Sequence, residues 1–283
     1  MSSETEPVAR RRRCTCKVIV AVIVALVLLS ILAAILAIGL GGPGNDLRRV
    51  VMSRCTTFLE REDPPNRRKI CQTLWDAFTG AFVGRDQCEV PLEAYDQLVH
   101  SVPQKDHCHR TLFWSKTKHV VHQFTQGTKC LVTLEDTLLG FVMDGLTWCG
   151  RNGSRKTFTT GCPRWTQCPL NPVRSFWGRV SAAFAASACG NATVMLNGSL
   201  ATPFDPNSTF GSIEVKNFNS SRMTGLAVVL VASESDSATC ENSSLQNLQK
   251  ALDPALKYSC KVVQQSQIQG CIADPPLACG KCW

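Results

Sequence analysis

The hydrophobic positions of this chain form one unbroken run near the N-terminus and shorter, periodic runs after it. Residues 18–38 contain no charged side chain and a single polar one, Ser30. A helix of about 21 residues rises roughly 31 Å, which matches the hydrocarbon core of a bilayer. Only a hydrogen-bonded helix can lie there without unpaired backbone groups, so the run predicts a transmembrane helix.

The charges that flank this run predict its orientation. Basic residues lie just before it, at Arg10, Arg11, Arg12, Arg13 and Lys17. Such charges favour the cytoplasmic side. A cleaved signal peptide is the alternative, but the run is long for one and residues 39–42 are a poor cleavage site. We therefore expect a single-pass type II plasma membrane protein, with a cytoplasmic tail over 1–17, a stalk over 39–44 and an extracellular domain over 45–283.

The first half of this predicted ectodomain has apolar residues at helical spacing. The capping-box pattern of Thr133 and Asp136 opens one helix that runs through Met143. The other predicted helices cover residues 45–59, 70–80, 91–102 and 176–189.

The second half changes to short apolar or β-branched runs that Gly, Asn and Ser residues bound. These runs predict buried strands over residues 194–196, 213–215, 226–232 and 258–263. A helix that begins at Ser244 and ends before Pro254 separates the last two, and strands alternating with helices favour a parallel sheet. The predicted fold class is α/β, with a helical lobe over about 45–190 and a sheet lobe over about 191–283. Clefts between such lobes commonly bind ligands.

Cysteine usage supports export of the ectodomain. The chain has 16 cysteines, of which Cys14 and Cys16 alone precede the apolar run. Disulfides persist in oxidising compartments, but their connectivity does not follow from spacing. Cys14 and Cys16 would lie on the cytoplasmic side of the membrane, where they are either palmitoylated or idle thiols.

Sequons of the form N-x-S/T after the run predict N-linked glycans on the exported surface. The acceptors are Asn152, Asn191, Asn197, Asn207, Asn219 and Asn242.

Charge and motif content exclude several functions. The formal net charge is +8, of which the predicted tail contributes +3, and the remaining +5 is scattered without a basic run, so nucleic acid is not an expected partner. Anionic lipid of the bilayer explains the tail charges better. The chain has no GxGxxG, P-loop, GxSxG or HExxH motif. Neither His107-Cys108-His109 nor the pair His119 and His122 has structural-zinc spacing, so no metal site is predicted.

A set of acidic and tryptophan-containing motifs remains. They read TLEDTLLG, an acid followed by LTWCG, NPV with FW, MLNGS and NSTFGSIEV. Taken singly, Trp114 and Trp177 could be core residues, and Glu214 could point outward from an edge strand. Together the motifs resemble the ADP-ribosyl cyclase family over about residues 45–283. The N-terminal anchor is similar to that of its type II lymphocyte-surface members, and the ending LACGKCW lacks the hydrophobic tail of the lipid-anchored branch.

The resemblance implies an ectoenzyme that cleaves the nicotinamide–ribose bond of NAD. The products would be ADP-ribose and cyclic ADP-ribose, formed through an oxocarbenium-like ribosyl intermediate. NADP and cyclic ADP-ribose are the other implied substrates, and NAD is a substrate, so no cofactor is expected. A cell-surface receptor or adhesion domain with a vestigial pocket is the alternative. A homodimer and a cell-surface protein ligand remain open as partners.

The resemblance also implies roles for individual residues. Glu214 matches the catalytic carboxylate that stabilises the ribosyl cation. Trp114 and Trp177 match the tryptophans that stack on nicotinamide, and Glu135 and Asp144 match the acids that contact its amide. Glu135 is further implied to influence whether water or adenine attacks the ribose. Implied contacts to the diphosphate come from Ser115, Lys116, Ser181, Thr209 and Phe210.

Lys116 departs from the arginine of type II members. Lysine keeps the charge but loses the bidentate fork, which affects substrate affinity more than reaction type.

Cysteine order in the family implies disulfides Cys55–Cys71, Cys88–Cys168, Cys108–Cys189, Cys149–Cys162, Cys240–Cys260 and Cys271–Cys279. Cys130 and Cys282 are left over. They would pair with each other, stay free or link two chains.

Overall fold

The computed structural model describes residues 43–61, 64, 66–102, 105–274 and 282–283. Residues Leu47–Trp283 form one compact unit. The predicted cytoplasmic tail and transmembrane run, with most of the stalk, lie outside the described residues. Among those that are described, no helix combines the length and apolar character needed to span a bilayer.

The described residues before the first strand are mainly helical, as the apolar spacing predicts, and further helices lie between and after the strands. The α-helices of the described residues, in chain order, are α1 Pro43–Glu60, α2 Arg67–Gly80, α3 Asp96–Ser101, α4 Lys118–Thr128, α5 Leu138–Met143, α6 Pro172–Ser187, α7 Ser243–Ala251 and α8 Gln265–Ala273. A 3₁₀ turn, Leu92–Tyr95, precedes α3 and completes the predicted 91–102 segment. Helices α4 and α8 are not in the sequence prediction.

Helix α6 begins earlier than its apolar pattern suggests. The side chain of Asn171 caps it by accepting a hydrogen bond of 2.9 Å from the backbone N–H of Arg174. Pro172 occupies the first turn, where its missing N–H has no helical partner to lose. Cap and proline together place the start ahead of the apolar run.

A single parallel sheet of four strands in the order β1-β2-β3-β4 organises the described residues. The strands are β1 Leu112–Ser115, β2 Gly190–Asn197, β3 Met223–Ala232 and β4 Lys257–Gln264. Three predicted strands fall within β2, β3 and β4. Strand β1 comes from the half that the sequence assigns to helices, and it pairs with β2 through Trp114 opposite Met195. The sheet therefore draws on both halves of the chain.

The predicted strand over 213–215 is wrong. The segment is a π-helix, Phe210–Glu214, which continues into a 3₁₀ turn, Val215–Asn217. Ser208 organises its start: its Oγ accepts a 3.1 Å hydrogen bond from the N–H of Gly211, and its carbonyl accepts one of 2.8 Å from the N–H of Ser212. Two apolar residues, Ile213 and Val215, are too few to separate a strand from one helical turn by periodicity, so local side-chain hydrogen bonding decided.

The predicted helix opened by Thr133 is also interrupted. Its capping box is present, because Asp136 accepts a 2.9 Å hydrogen bond from the N–H of Thr133. The box opens only a 3₁₀ turn, Leu134–Asp136, and an extended Thr137 then starts α5. Gly140 lets α5 pack closely, since a side chain there would collide with the backbone of Leu134.

An aromatic cluster anchors α6 against the helical part of the core. Trp148 donates a 3.0 Å hydrogen bond from Nε1 to the hydroxyl of Tyr95, which donates in turn to the carbonyl of Pro172. The ring of Phe176 packs edge-on against Trp148 and Tyr95. These contacts fix the rotation of α6, the helix that carries Trp177.

Five of the six predicted disulfides are present: Cys55–Cys71, Cys88–Cys168, Cys108–Cys189, Cys149–Cys162 and Cys240–Cys260.

The predicted Cys271–Cys279 pair is wrong. Cys271 is bonded to Cys282, with Cα atoms 5.8 Å apart. The chain end is held beside α8, because Gln267 donates a 2.6 Å hydrogen bond to the carbonyl of Cys282, and the ring of Trp283 packs on Phe124. Cys130 is also disulfide-bonded, so it is neither free nor paired with Cys282.

Candidate active site

A cavity of about 660 Å³ opens between the end of β1, helix α6, the turn before α5 and the π-helix. Every predicted catalytic and substrate-binding residue lines it. These residues are Glu214, Trp114, Trp177, Glu135, Asp144, Ser115, Lys116, Ser181, Thr209 and Phe210. Tertiary structure thus joins side chains that lie up to 100 positions apart in the sequence.

Glu214 is the most deeply buried acid of the cavity, with 7% of its surface exposed. Burial raises the pKa of its carboxyl to about 8, and the negative charge of Glu135 adds to the increase. A hydrogen bond with Ser181, from α6, opposes the shift. The carboxyl comes from the last residue of the π-helix, which replaces the strand end on which the sequence prediction placed it.

Glu135 lies in the 3₁₀ turn before α5, and polar neighbours surround it. The indole Nε1 of Trp114 donates a 3.2 Å hydrogen bond to its Oε2. The Nε2 of His122 is 3.7 Å from the same oxygen. Burial pushes the pKa of Glu135 upward, but His122, a backbone hydrogen bond and Trp114 outweigh it, and the pKa is lowered.

Trp114 and Trp177 face the cavity from β1 and α6. Both rings are half-buried, so each keeps surface available to a planar ligand. The ring of Trp177 is held edge-on against Phe176 at a centroid distance of 5.2 Å. Trp114 is fixed by its hydrogen bond to Glu135 and by an edge-on contact with His122. Such rings favour a flat or cationic aromatic group.

Asp144 ends α5 at the rim of the cavity and is held by two basic residues. Lys118, from α4, forms an ion pair of 2.9 Å with its carboxylate. Arg54, from α1, donates a 2.7 Å hydrogen bond to the backbone carbonyl of Asp144. The carboxylate is therefore positioned but still partly exposed to a ligand.

The residues predicted to contact diphosphate divide by exposure. Lys116 is exposed and follows β1 in a left-handed conformation with φ of 61°. Ser115 and Ser181 are buried hydroxyls, and Thr209 is half-buried. Phe210 is 1% exposed and packs against the ring of Phe113, so it forms a fixed part of the cavity wall.

Four cavity or wall residues were not identified as site residues from the sequence. Trp165, 45% exposed, and Arg174 line the mouth near Trp177, and Lys118 pairs with Asp144. His122 contacts Glu135 from behind. Trp165 is a solitary tryptophan in a loop, so no periodic pattern marks it as a site residue. The spacing of His119 and His122 suggested only a possible zinc site, and not a contact with Glu135.

The described residues contain no group of three or more His, Cys, Asp or Glu side chains that could hold a metal ion. In the His107-Cys108-His109 segment, Cys108 forms a disulfide with Cys189 and so has no thiolate to bind a metal ion.

Four of the sequon asparagines are exposed, namely Asn152, Asn191, Asn207 and Asn219. Asn197 and Asn242 are half-buried, and the Nδ2 of Asn242 donates a 3.0 Å hydrogen bond to the carbonyl of Ala201. Glycan use at all six stays a prediction.

A family model for ADP-ribosyl cyclase matches residues 44–279. The chain belongs to the ADP-ribosyl cyclase family, which confirms the resemblance that its motifs indicate.

Particular relatives agree with this assignment. ADP-ribosyl cyclase/cyclic ADP-ribose hydrolase 1 of Mus musculus is 41% identical over 202 residues, which are 70% of this chain and 66% of the relative. The matched part thus spans about two thirds of that relative. Porcine CD38 complexed with a covalent intermediate, ribo-F-ribose-5'-phosphate, is 37% identical with a TM-score of 0.72, over 77% of this chain and 96% of that chain. Aplysia cyclase complexed with substrate NGD and product cGDPR is 27% identical with a TM-score of 0.66, over 81% and 94%.

Proposed function

We propose that this protein cleaves the nicotinamide–ribose bond of NAD, producing ADP-ribose and cyclic ADP-ribose, and that it also hydrolyses cyclic ADP-ribose. The observation that carries the proposal is Glu214, a buried carboxyl in a cavity walled by Trp114 and Trp177. An anion at that depth faces the ribose of a ligand whose nicotinamide lies against the tryptophans. NADP is a further substrate, and the reaction uses NAD as substrate without a cofactor.

In the proposed reaction, the bond between the ribose carbon and the pyridinium nitrogen breaks, and its electron pair neutralises the departing nicotinamide. The positive charge passes to the ribose, where the Glu214 carboxylate stabilises it. The complex of porcine CD38 with a covalent intermediate supports a covalent step, and in this proposal the Glu214 carboxylate forms the bond to the ribose carbon. The bond between Glu214 and the ribose carbon then breaks in either path: water bonds that carbon through its oxygen and loses a proton to give ADP-ribose, or a ring nitrogen of adenine bonds the carbon and closes cyclic ADP-ribose.

The raised pKa of Glu214 fits this role when the charge of the substrate is considered. In the empty cavity, a pKa of about 8 leaves the carboxyl largely protonated at neutral pH. NAD brings a cationic nicotinamide-ribose next to it, and a nearby positive charge favours the ionised form. Substrate binding therefore generates the carboxylate where the ribosyl cation develops.

Glu135 governs the competition between water and adenine in this proposal. Its lowered pKa keeps it ionised in the cavity, where a charged carboxylate orders water. The same charge disfavours entry of the apolar face of adenine. Hydrolysis is thereby favoured over cyclisation.

The proposed location is the plasma membrane, with residues 18–38 as a type II anchor and the cavity outside the cell. The disulfides support an exported domain, because such bonds persist in oxidising compartments. Glycosidase treatment should lower the apparent mass of protein from cells, and an antibody to residues 45–283 should stain intact cells. Staining only after permeabilisation would contradict this orientation.

The activity is tested with full-length protein on intact cells supplied with external NAD. Chromatography of the medium should show nicotinamide, ADP-ribose and cyclic ADP-ribose. Cells that express Glu214→Gln at the same surface level are the matched control. Equal nicotinamide release from both would refute the proposed function and favour a binding-only domain.

A further inference from the structure

A second cavity, of about 410 Å³, lies on the other side of Glu135 from the substrate cavity. Glu135 and Asp144 line both cavities, whereas His122 and Arg54 line only this rear one. The two carboxyls therefore form part of the wall between the cavities. Whatever holds Glu135 from the rear affects its position without touching a ligand in front.

His122 is placed to do this. It lies on α4 and is 19% exposed at its side chain, against 14% for Glu135. Its ring packs edge-on against Trp114 with centroids 6.0 Å apart. Its Nε2 is buried without a hydrogen-bond partner among the described residues, at 3.7 Å from Glu135 Oε2. That distance is beyond a hydrogen bond, but a small movement of either side chain closes it.

The other charged groups of this wall are engaged elsewhere. Arg54 donates to the backbone carbonyls of Val142 and Asp144, and Arg61 lies over the ring of Phe141. The carboxylate of Asp144 pairs with Lys118, which lines only the substrate cavity, and that of Asp136 accepts hydrogen bonds from Thr133. Among the ionisable groups of the described rear wall, the imidazole of His122 is the one left to act on Glu135, and the remaining polar side chain of that wall, Gln126, is exposed.

We infer that His122 is a positioning residue that holds the Glu135 carboxylate against Trp114 and thereby sets the ratio of cyclic ADP-ribose to ADP-ribose. The inference rests on the proposed function of Glu135. Trp114 holds Oε2 from the substrate side and His122 from the rear, so the carboxylate has a fixed orientation toward the ribose. Without His122, Glu135 orders water less well, and adenine competes better for the ribose carbon.

The test compares full-length wild type with His122→Phe, His122→Gln and His119→Phe. Phenylalanine keeps an edge contact with Trp114 but removes the nitrogen, and glutamine supplies a donor again. His119 is the matched control, because it is an exposed histidine one turn earlier on α4. At matched NAD turnover, His122→Phe should raise the cyclic-to-linear ratio by at least about twofold, the low end for coupled contacting residues. His122→Gln and His119→Phe should keep the wild-type ratio.

A double-mutant cycle separates positioning from a general structural role. In the Glu135→Ala background, His122→Phe should leave the ratio unchanged, because the carboxylate it positions is gone. An equal shift in both backgrounds, or a lowered melting temperature with an unmoved ratio, would overturn the inference. If His122→Phe does not fold, His122→Leu takes its place in the same cycle. Wild-type protein without nicotinamide release would overturn the proposed function as well, whereas an active wild type with an unmoved ratio overturns the inference alone.

Discussion

The π-helix that carries Glu214 and the 3₁₀ turn that carries Glu135 each supply a carboxyl group to the same cavity, but the pKa values of the two groups shift in opposite directions. Both carboxyls are buried, and burial pushes both pKa values upward. Glu214 has the Ser181 hydroxyl as its one favourable partner, and its pKa is raised to about 8. Glu135 has His122, a backbone hydrogen bond and Trp114, and its pKa is lowered.

Hydrogen-bond donors, more than depth of burial, therefore determine which of the two acids is neutral and which is charged. A carboxyl with few hydrogen-bond donors stays protonated until a cation binds beside it, whereas a carboxyl with several donors is ionised in the empty cavity. The two are also linked, because the charge on Glu135 raises the pKa of Glu214. Each prediction below alters one member of the pair.

The largest expected effect is the loss of turnover in Glu214→Gln. The amide cannot supply the negative charge at the ribose, and losing such a transition-state contact typically lowers the rate by about two to three orders of magnitude. Nicotinamide release by purified protein measures it, and circular dichroism checks the fold. Retention of a tenth or more of wild-type turnover would rule out the catalytic assignment.

Next in size is a change of product in Glu135→Ala. Removing the charged group that orders water should raise the ratio of cyclic ADP-ribose to ADP-ribose by about tenfold. Such a shift needs a change of only about 1.4 kcal/mol in the difference between the activation barriers for attack by water and by adenine. Total NAD cleavage should fall less than in Glu214→Gln. Chromatography at matched turnover measures the ratio.

The control for this change is Asp136→Ala, since Asp136, and not Glu135, closes the capping box with Thr133. Loss of the cap should lower the melting temperature and leave the ratio alone. If both variants lose stability and neither alters the ratio, Glu135 has only a structural role.

A smaller, pH-dependent effect on stability is expected from Glu214→Gln. The folded pKa of about 8 exceeds the usual value of 4.5, so the folded state binds more protons than the unfolded state between these limits. Stability is then greatest below about pH 4.5 and falls as pH rises through 8. Glutamine removes this loss, so the melting temperature should exceed that of wild type by a few degrees at pH 8 and by less at pH 5. A lower melting temperature of the variant at pH 8 would contradict the burial argument.

The smallest effect, of opposite sign, is expected from Glu135→Gln. Because the folded pKa of Glu135 is lowered, its charge stabilises the fold above the unfolded pKa, and this contribution is lost as pH falls through the folded pKa. The variant should melt slightly below wild type at pH 7, and the difference should shrink in acid. Calorimetry at both pH values tests whether the two acids respond in opposite directions.

Much of the fold could be predicted from local pattern, and two of the failures share one cause. Helix α2 is long enough to show its period, strand β3 is a continuous apolar run, and both lie where the sequence predicts them. Strand β1 has four residues, and the segment 213–215 has two apolar ones, which is too little for periodicity to decide. The former became a strand through pairing with β2, and the latter became helical through the hydrogen bonds of Ser208.

The motifs alone indicated the family and the chemical types in the cavity, because a motif is a local property of a chain, and the resemblance to the family then implied five of the cysteine pairs. Only the tertiary structure decided which acid is neutral and which is charged, that Cys271 pairs with Cys282, and that His122 lies behind Glu135. The pKa of a carboxyl depends on the solvent and the donors within a few ångströms of it, and those neighbours come from α4, α6 and β1. Their arrival at one point is a property of packing, which no stretch of sequence around Glu135 or Glu214 encodes alone.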